Sequence, residues 1–580
     1  MLRGRHGRLR READPARGAR RGPSPGPSLP GLIAPQQHLD NRAIAERLDS
    51  FATLLELAGA NPYSARAYRR AAELIRTTKA PVADLVRAGR ARELRGIGRG
   101  IEGKLKELVE TGEIAELEEL ERAVSPDLVG LGLYLGIGAR RAVQIAQTLG
   151  IRTAAELREA ATAGRLREVP GIGPANEAKL LDALARADDP RPPKGMLLHR
   201  AGRLLADIAE PLGGTPAGDP RRYRDSSERL AVVVAADEPG PVLDAFEALP
   251  AIVSVLERAE RRAYGVTVEG VPVELVVAEP ARFGTELVRA TGSPEYVAAL
   301  EPLPDAPDEK GVYRALGIPF CPPELREEPF RGEPPPLVER AQIRGDLHVH
   351  TTWSDGTASV EEMALAAIER GYEYLAICDH TPAVGAVRGL TADDLRRQAA
   401  EIADANDALA PFRVLRGSEC DILPDGRLDL PDSILAELDW VQASVHGGQR
   451  LSRRDQTRRV EEALRNPFVS CLSHPKGRYI HRRPENELDV ERLIEVALEE
   501  GVALEVNGLP DRLDLRDVYV RQAVEAGVKV VCSTDAHSVR GLGNMELAVA
   551  TARRGRASAA AVLNTRPLDS LLRGRRALRG

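Results

Sequence analysis

The sequence predicts a multidomain chain with an all-α N-terminal region and a C-terminal α/β barrel, a distorted (βα)7 arrangement of parallel strands. Three observations carry this. A chain of 580 residues exceeds what a single core holds. From residue 345 onward, apolar runs of strand length alternate with helical patterns, and nearly every run ends in a histidine or an acidic residue. Between residues 94 and 176, a Gly-apolar-Gly turn precedes an amphipathic pattern three times.

Composition narrows the class. With 43% hydrophobic and 29% charged residues the chain has material for several cores. Its five cysteines, Cys321, Cys378, Cys420, Cys471 and Cys532, form no C-x-x-C pair, which suits a reducing cytoplasm. No apolar run reaches the ~18 residues of a membrane span, and no leader pattern is seen. The net charge of −6 excludes a uniformly basic surface, so contact with nucleic acid must be local.

Residues 1–38 are rich in Arg, Gly and Pro and poor in core formers, so they are expected to be a disordered, solvated tail. A helical region follows over 39–190. Ile44, Leu48, Phe51, Leu54, Leu55 and Leu57 recur at helical spacing, and a second helix is expected near 68–75. The three turns are Leu94-Arg95-Gly96-Ile97-Gly98-Arg99, Leu135-Gly136-Ile137-Gly138-Ala139-Arg140 and Val169-Pro170-Gly171-Ile172-Gly173. Such a turn aims backbone N–H groups outward at the positive end of a helix, where they can hold a phosphate without reading sequence. A glycine cap between packed helices looks the same in one copy; repetition favours DNA binding, with Arg99 and Arg140 adding charge.

The barrel is expected over 341–575, after a proline-marked linker at 331–340. His348 and His350, one residue apart on a strand, point to the same side, and Asp355 follows in the next loop. The run at 374–378 leads to Asp379 and His380, that at 413–415 to Glu419, and that at 440–445 to His446. The run at 469–472 leads to His474, and that at 528–532 to Asp535 and His537. The strand at 502–506 ends in Asn507 and offers no evident ligand.

Functional groups of such barrels gather at the carboxyl ends of the strands, where all of these residues fall. Six imidazoles and three carboxylates without a thiolate are too many for one ion and suit two or three of Mn, Zn or Fe. Clustered cations activate water and clamp phosphoryl oxygens, so the residues alone indicate a phosphoesterase. Asp379 is expected to orient a ligand histidine. Arg478, with Arg482 and Arg483, is expected to guide a phosphate.

His348-Val349-His350 with Trp353-Ser354-Asp355-Gly356, then Asp379-His380, Glu419, His446, Ser473-His474-Pro475 and Ser533-Thr534-Asp535-Ala536-His537, closely resemble the PHP (polymerase and histidinol phosphatase) domain over about 340–570. Pro322-Pro323-Glu324-Leu325-Arg326-Glu327 and Leu513-Asp514-Leu515 extend the resemblance to bacterial family X DNA polymerases, which carry this domain at the C-terminus. The tract 41–187 resembles the helix-hairpin-helix N-terminal region of that family.

The resemblance implies an α+β polymerase palm over 195–330, but a degenerate one. Arg229 and Ala231 stand where the family has two metal-binding aspartates, and Glu274 stands at the third. Arginine carries the wrong charge into a cation site and alanine has no lone pair, so Mg in the palm and nucleotidyl transfer are not expected. Asp219 replaces the serine of the phosphate-holding turn, where its charge would repel triphosphate. Lys104 matches the family position that forms a Schiff base during deoxyribose-phosphate removal, chemistry that needs a depressed lysine pKa.

The activity implied is a 3′–5′ exonuclease, with 3′-phosphatase or abasic-site endonuclease as variants. An active polymerase/exonuclease is the alternative if the palm alignment is shifted, although residues 221–250 contain no Asp-x-Asp in any register. A small-molecule phosphatase would use the same ligands but leave the three turns without purpose. A non-catalytic DNA-binding protein would have no use for a complete ligand set.

Overall fold

The computed structural model describes residues 39–57, 62–117, 145, 148–150, 154–170, 172–173, 177, 195–447 and 451–573. The N-terminal tail, the second turn with Gly136, Gly138 and Arg140, and Gly171 of the third turn lie outside the described residues.

Near the N-terminus, helices Asn41–Leu57 and Pro62–Thr77 pack through Ile44, Leu48, Phe51, Ala72 and Ile75, the apolar stripe that the spacing predicts. Leu94 and Ile97 of the first turn join this core, and Gly98 then caps helix Arg99–Thr111. The same core includes Val253 and Val266 of the next domain, so the helices are seated on its sheet. The Arg95 amide also donates to the Val268 carbonyl at 2.5 Å.

The central domain opens on a two-stranded ladder of β1 (Met196–Leu197) and β3 (Ser226–Ser227). A five-stranded mixed sheet follows: β2 (Thr215–Gly218), β4 (Leu230–Ala235), β5 (Ile252–Arg258), β6 (Arg262–Thr267) and β7 (Pro272–Ala278). Its order is β2-β4-β7-β6-β5, and only β4 and β7 run parallel. Helices Leu198–Ala209 and Pro239–Glu247 supply the apolar partners of this sheet.

The C-terminal domain contains β8 (Gly345–Val349), β9 (Tyr374–Ile377), β10 (Arg413–Asp421), β11 (Trp440–Ser444), β12 (Cys471–Leu472), β13 (Ala503–Asn507) and β14 (Val530–Ser533). All seven pair in sequence order and in parallel. A parallel bridge between Val349 and Ala536 brings the first strand back to the last. The crossover helices start where the sequence provides caps: Ser359 with Glu362 and Thr391 with Asp394 form capping boxes, and Asp489 caps Val490–Glu500.

Leu347, Tyr374, Leu415, Trp440, Cys471, Ala503 and Val531 form one buried cluster to which every strand contributes, as only the interior of a barrel allows. A second, larger cluster joins the alternate strand residues, Leu375, Val414, Val441, Leu504 and Val530 among them, to the helices. The cysteines Cys378 and Cys532 lie in these two clusters as buried free thiols, and burial pushes both up in pKa. Glu419, expected beyond a short strand, lies inside β10, because parallel pairing with β11 extends that strand from Gly417 to Asp421.

Candidate metal centre

The nine predicted ligands come together at one end of the barrel. Six imidazole rings form a contiguous group, with centroids 4.2 Å apart for His350 and His537, 4.5 Å for His350 and His380, and 5.4 Å for His446 and His474. Asp355 reaches them because its loop folds back on the strand end. A Cβ at Gly356 would lie 2.7 Å from the His350 carbonyl, so only glycine allows that approach. His474 and Asp535 hold positive φ angles of 21° and 53°, each a cost of about 1–3 kcal/mol that the surrounding packing sustains.

Glu419 is the hub. Its carboxylate lies 2.9 Å from His380 Nδ1, 2.8 Å from His474 Nε2, 3.4 Å from His446 Nε2 and 3.5 Å from His348 Nε2. Asp535 Oδ1 is 3.2 Å from His350 Nε2, and Asp355 Oδ2 is 3.3 Å from His537 Nε2. Three overlapping groups each hold donor atoms close enough for one ion: His350, Asp355, His380 and His537; His348, His350 and Asp535; His380, Glu419 and His446. His350 Nδ1 and His474 Nδ1 are buried without a hydrogen-bond partner, and His380 Nδ1 and Glu419 Oε2 face each other at 2.9 Å outside hydrogen-bond geometry. Lone pairs crowded together and left unpaired are what divalent cations would complete, so this donor set fits them.

The electrostatics point the same way. Burial pulls His380 and His446 down, but Glu419 outweighs it, with help from Asp355 and Asp421, raising them to about 10 and about 9. Burial and then the neighbouring His537 lower His350 to about 4. Burial opposes ionisation of Asp355, yet hydrogen bonds from His380 and His537 hold it far below the carboxylate range. In the absence of metal, the cluster is balanced by protons.

Some supporting residues escaped the sequence reading. Glu505, fully buried in β13, accepts from His348 Nδ1 at 2.6 Å and from the His474 amide at 2.6 Å. Its signal was an acid alternating with Leu504 and Val506 on an otherwise apolar strand. Asp421 sits 3.2 Å from His446 Nδ1. Such carboxylates fix ring orientation and leave Nε2 to the metal. Asp346 accepts from Thr534 Oγ1 at 2.6 Å, and burial raises it to about 6.

Other expectations need correction. Asp379 orients no imidazole: it accepts from the Thr351 amide at 2.8 Å, Thr351 Oγ1 at 2.6 Å, Ser354 Oγ and Gln398 Nε2 at 2.6 Å, which orders the loop carrying Asp355. All three guanidinium nitrogens of Arg478 already have protein acceptors, donating at 2.7 Å to the carbonyls of Arg512 and Leu513 and to Asp225. The guanidinium beside the centre is that of Arg512, 3.9 Å from Asp535.

Lys104 lies within 3.3 Å of Glu107 and 3.0 Å of Glu116. Partial burial lowers its pKa, but these two carboxylates outweigh burial and raise it, the reverse of what imine formation requires. Among the hairpin glycines, Gly96 has φ 105°, and Gly96, Gly98, Arg99 and Gly173 are exposed. The N-terminus of helix Arg99–Thr111 thus opens to solvent with no side-chain cap.

In the central domain, Ala231 pairs across β4 and β7 with Glu274. Glu274 accepts from Arg262 at 2.8 Å and from Tyr264 at 2.9 Å, and Arg229 Nη1 lies 3.5 Å from the Gly292 carbonyl. Asp219 is not poised against a nucleotide. It is buried, accepts from the Glu228 and Arg229 amides at 2.8 and 2.9 Å, and pairs with buried Arg222 at 2.6 Å.

Sequence comparison agrees with this architecture. A family model described as a helix-hairpin-helix domain matches residues 39–114, a SAM-like helix-hairpin-helix tandem matches 135–186, and a PHP domain matches 346–507. The DNA polymerase/3′-5′ exonuclease PolX of Bacillus subtilis is 34% identical over 569 residues, covering 92% of this chain and 99% of that protein. A probable phosphatase of Acetivibrio thermocellus is 32% identical over 201 residues, 33% of this chain and 78% of its own. The chain therefore belongs to the bacterial family X DNA polymerases that carry a C-terminal PHP domain, a family of enzymes.

Proposed function

We propose that the chain is a metal-dependent phosphodiesterase acting on DNA, a 3′–5′ exonuclease whose polymerase activity has been lost. The observation that carries this reading is the convergence of His348, His350, Asp355, His380, Glu419, His446, His474, Asp535 and His537 on one barrel end, where His350 and His474 keep buried ring nitrogens without a hydrogen-bond partner. These residues would hold two or three cations of Mn, Zn or Fe, ions which supply Lewis acidity and activate water for attack on phosphorus. Glu505 and Asp421 orient His348 and His446, and Asp379 keeps the Asp355 loop closed. The PolX relative is named as both polymerase and 3′-5′ exonuclease, which supplies the polarity of the reading.

DNA would be held through backbone phosphates by the exposed amides around Gly96, Gly98 and Gly173, with Arg99 adding charge. Gly136, Gly138, Arg140 and Gly171 belong to the same proposal by their sequence pattern. The domain limits that go with it are a tail at 1–38, hairpin region at 39–190, palm-like domain at 195–330, linker at 331–340 and phosphoesterase at 341–575. The setting proposed is the cytoplasm; no described helix is long and apolar enough to cross a membrane.

Loss of polymerase activity is supported by the state of the paired arginines that follow Asp219. Arg221 is taken by Glu309 at 2.7 Å, and Arg222 by Asp219 and the Thr291 carbonyl. With Ala231 and Glu274 facing each other on β4 and β7, no aspartate pair remains to bind Mg. The test is purified protein with Mn(II) on 3′-labelled DNA beside His348→Ala and Asp535→Ala. Stepwise loss of the 3′ end by the wild type alone is expected. Release of phosphate from small esters with DNA left intact would instead favour the phosphatase reading, which the Acetivibrio relative represents.

A further inference from the structure

We propose that the central domain positions a phosphate-binding arginine of the metal centre: Asp225, acting through Arg478, sets Arg512 to hold a non-bridging oxygen of the DNA phosphate beside Asp535. This rests on the nuclease reading above and deepens it. Among the described residues, Arg512 is the one arginine within ion-pair distance of a proposed metal ligand, 3.9 Å from Asp535. Its side chain is one-tenth exposed, and its Nε is buried with no hydrogen-bond partner. Nη2 donates to the Tyr479 hydroxyl at 2.9 Å, and the guanidinium lies 4.6 Å from that ring's centroid, so its plane is held rigidly. A cation fixed next to a carboxylate-rich centre, with a donor left over, is complementary to a phosphodiester and not to the centre itself.

The backbone that carries Arg512 is a turn in which the Arg512 and Leu513 amides donate to the Leu509 carbonyl at 2.8 and 3.1 Å, while its own carbonyls are held from outside. Leu513 has φ 45°, a left-handed conformation that leucine adopts only under constraint. Arg478 adds to the constraint of those turn bonds, donating at 2.7 Å to both the Arg512 and the Leu513 carbonyls. The third donor of Arg478 reaches out of the barrel to Asp225 of the central domain, also at 2.7 Å. Beside it, Ser226 Oγ is 2.9 Å from His481 Nε2, a second tie between the same two segments. A chain of direct contacts therefore runs from Asp225 through Arg478 and the 512–513 carbonyls to a side chain at the metal cluster. A palm without its metal-binding aspartates keeps a role in this arrangement.

Asp225 is a positioning residue, so its test is a double-mutant cycle on the full chain, using Mn(II) and 3′-labelled single-stranded DNA. Arg512→Ala is expected to lower kcat by about a hundredfold, as loss of a charge-stabilising donor does. Asp225→Ala is expected to lower kcat by roughly tenfold, the scale of a small misplacement, and to have no further effect in Arg512→Ala. Asp244→Ala, which breaks an exposed ion pair with Arg258 on the same domain, should leave kcat unchanged. Effects that multiply, or an Asp225→Ala enzyme with unchanged kcat, would overturn the proposal. Hydrogen exchange of residues 509–515 provides a readout that needs no turnover: faster exchange in Asp225→Ala is expected, and unchanged exchange overturns the inference. Wild-type protein without nuclease activity would sink the functional reading, and exchange would then decide the positioning claim alone.

Discussion

Glu505 grips His348 from behind: its Oε1 lies 2.6 Å from Nδ1, which turns Nε2 toward His350, Glu419 and Asp535. The carboxylate also accepts from the His474 amide, so one buried acid sets two of the candidate ligands. Glu505→Gln keeps the shape and removes the charge. A 10–100-fold loss of metal affinity is expected, as for other such carboxylates, with little loss of folded protein. Competition with a chelator, followed by metal analysis and a thermal melt, measures both.

Metal uptake should release protons. In the metal-free protein His380 and His446 titrate near 10 and 9, so both carry a proton at pH 7 that a cation must displace. Affinity therefore rises with pH toward those values and falls in acid. In the metal-free state the sign reverses: raised pKa values stabilise the fold below about pH 6.5, and that contribution is lost as pH climbs through 9–10. Calorimetric titration in buffers of different ionisation enthalpy counts the protons; zero release would contradict the balanced cluster.

The central domain should be acid-sensitive. Burial would raise Glu309, but Arg221 and Arg326 hold it at about 2. A depressed carboxylate contributes stability above its unfolded pKa of about 4.5, and that contribution disappears as pH falls toward 2. Glu309→Gln should flatten the acid limb of the melting curve while destabilising the domain at pH 7, because it leaves buried Arg326 without its counter-charge.

If the first hairpin holds DNA as proposed, that contact should be electrostatic. Arg99→Ala should weaken binding equally on unrelated sequences and reduce the slope of log K against log salt by about 1. Fluorescence anisotropy over a salt series measures this; a sequence-dependent loss would mean that bases are being read.

Primer extension on gapped DNA with Mg(II) and deoxynucleotides should give no product, because Arg229 and Ala231 offer no carboxylate opposite Glu274. Borohydride trapping on an abasic-site substrate should likewise leave Lys104 unmodified, since Glu116 and Glu107 keep it protonated. A trapped adduct would show that DNA binding displaces those two carboxylates.

The sequence by itself determined the architecture of this protein and pointed to the side chains that gather at one end of its barrel. Strand-length apolar runs ending in His350, His380, His446, His474 and His537 encode a barrel and its functional rim, because side-chain period and strand polarity are local properties of the chain. The turns at Gly96 and Gly98 were legible for the same reason. Only the tertiary structure decided who supports whom. Glu505, Asp421 and Arg512 meet His348, His446 and Asp535 across strands and loops distant in sequence, and Asp379 and Arg478 turned to other partners than the chain order suggested. Hydrogen-bond partnership depends on ångström distances in space, which residue spacing along one strand does not encode.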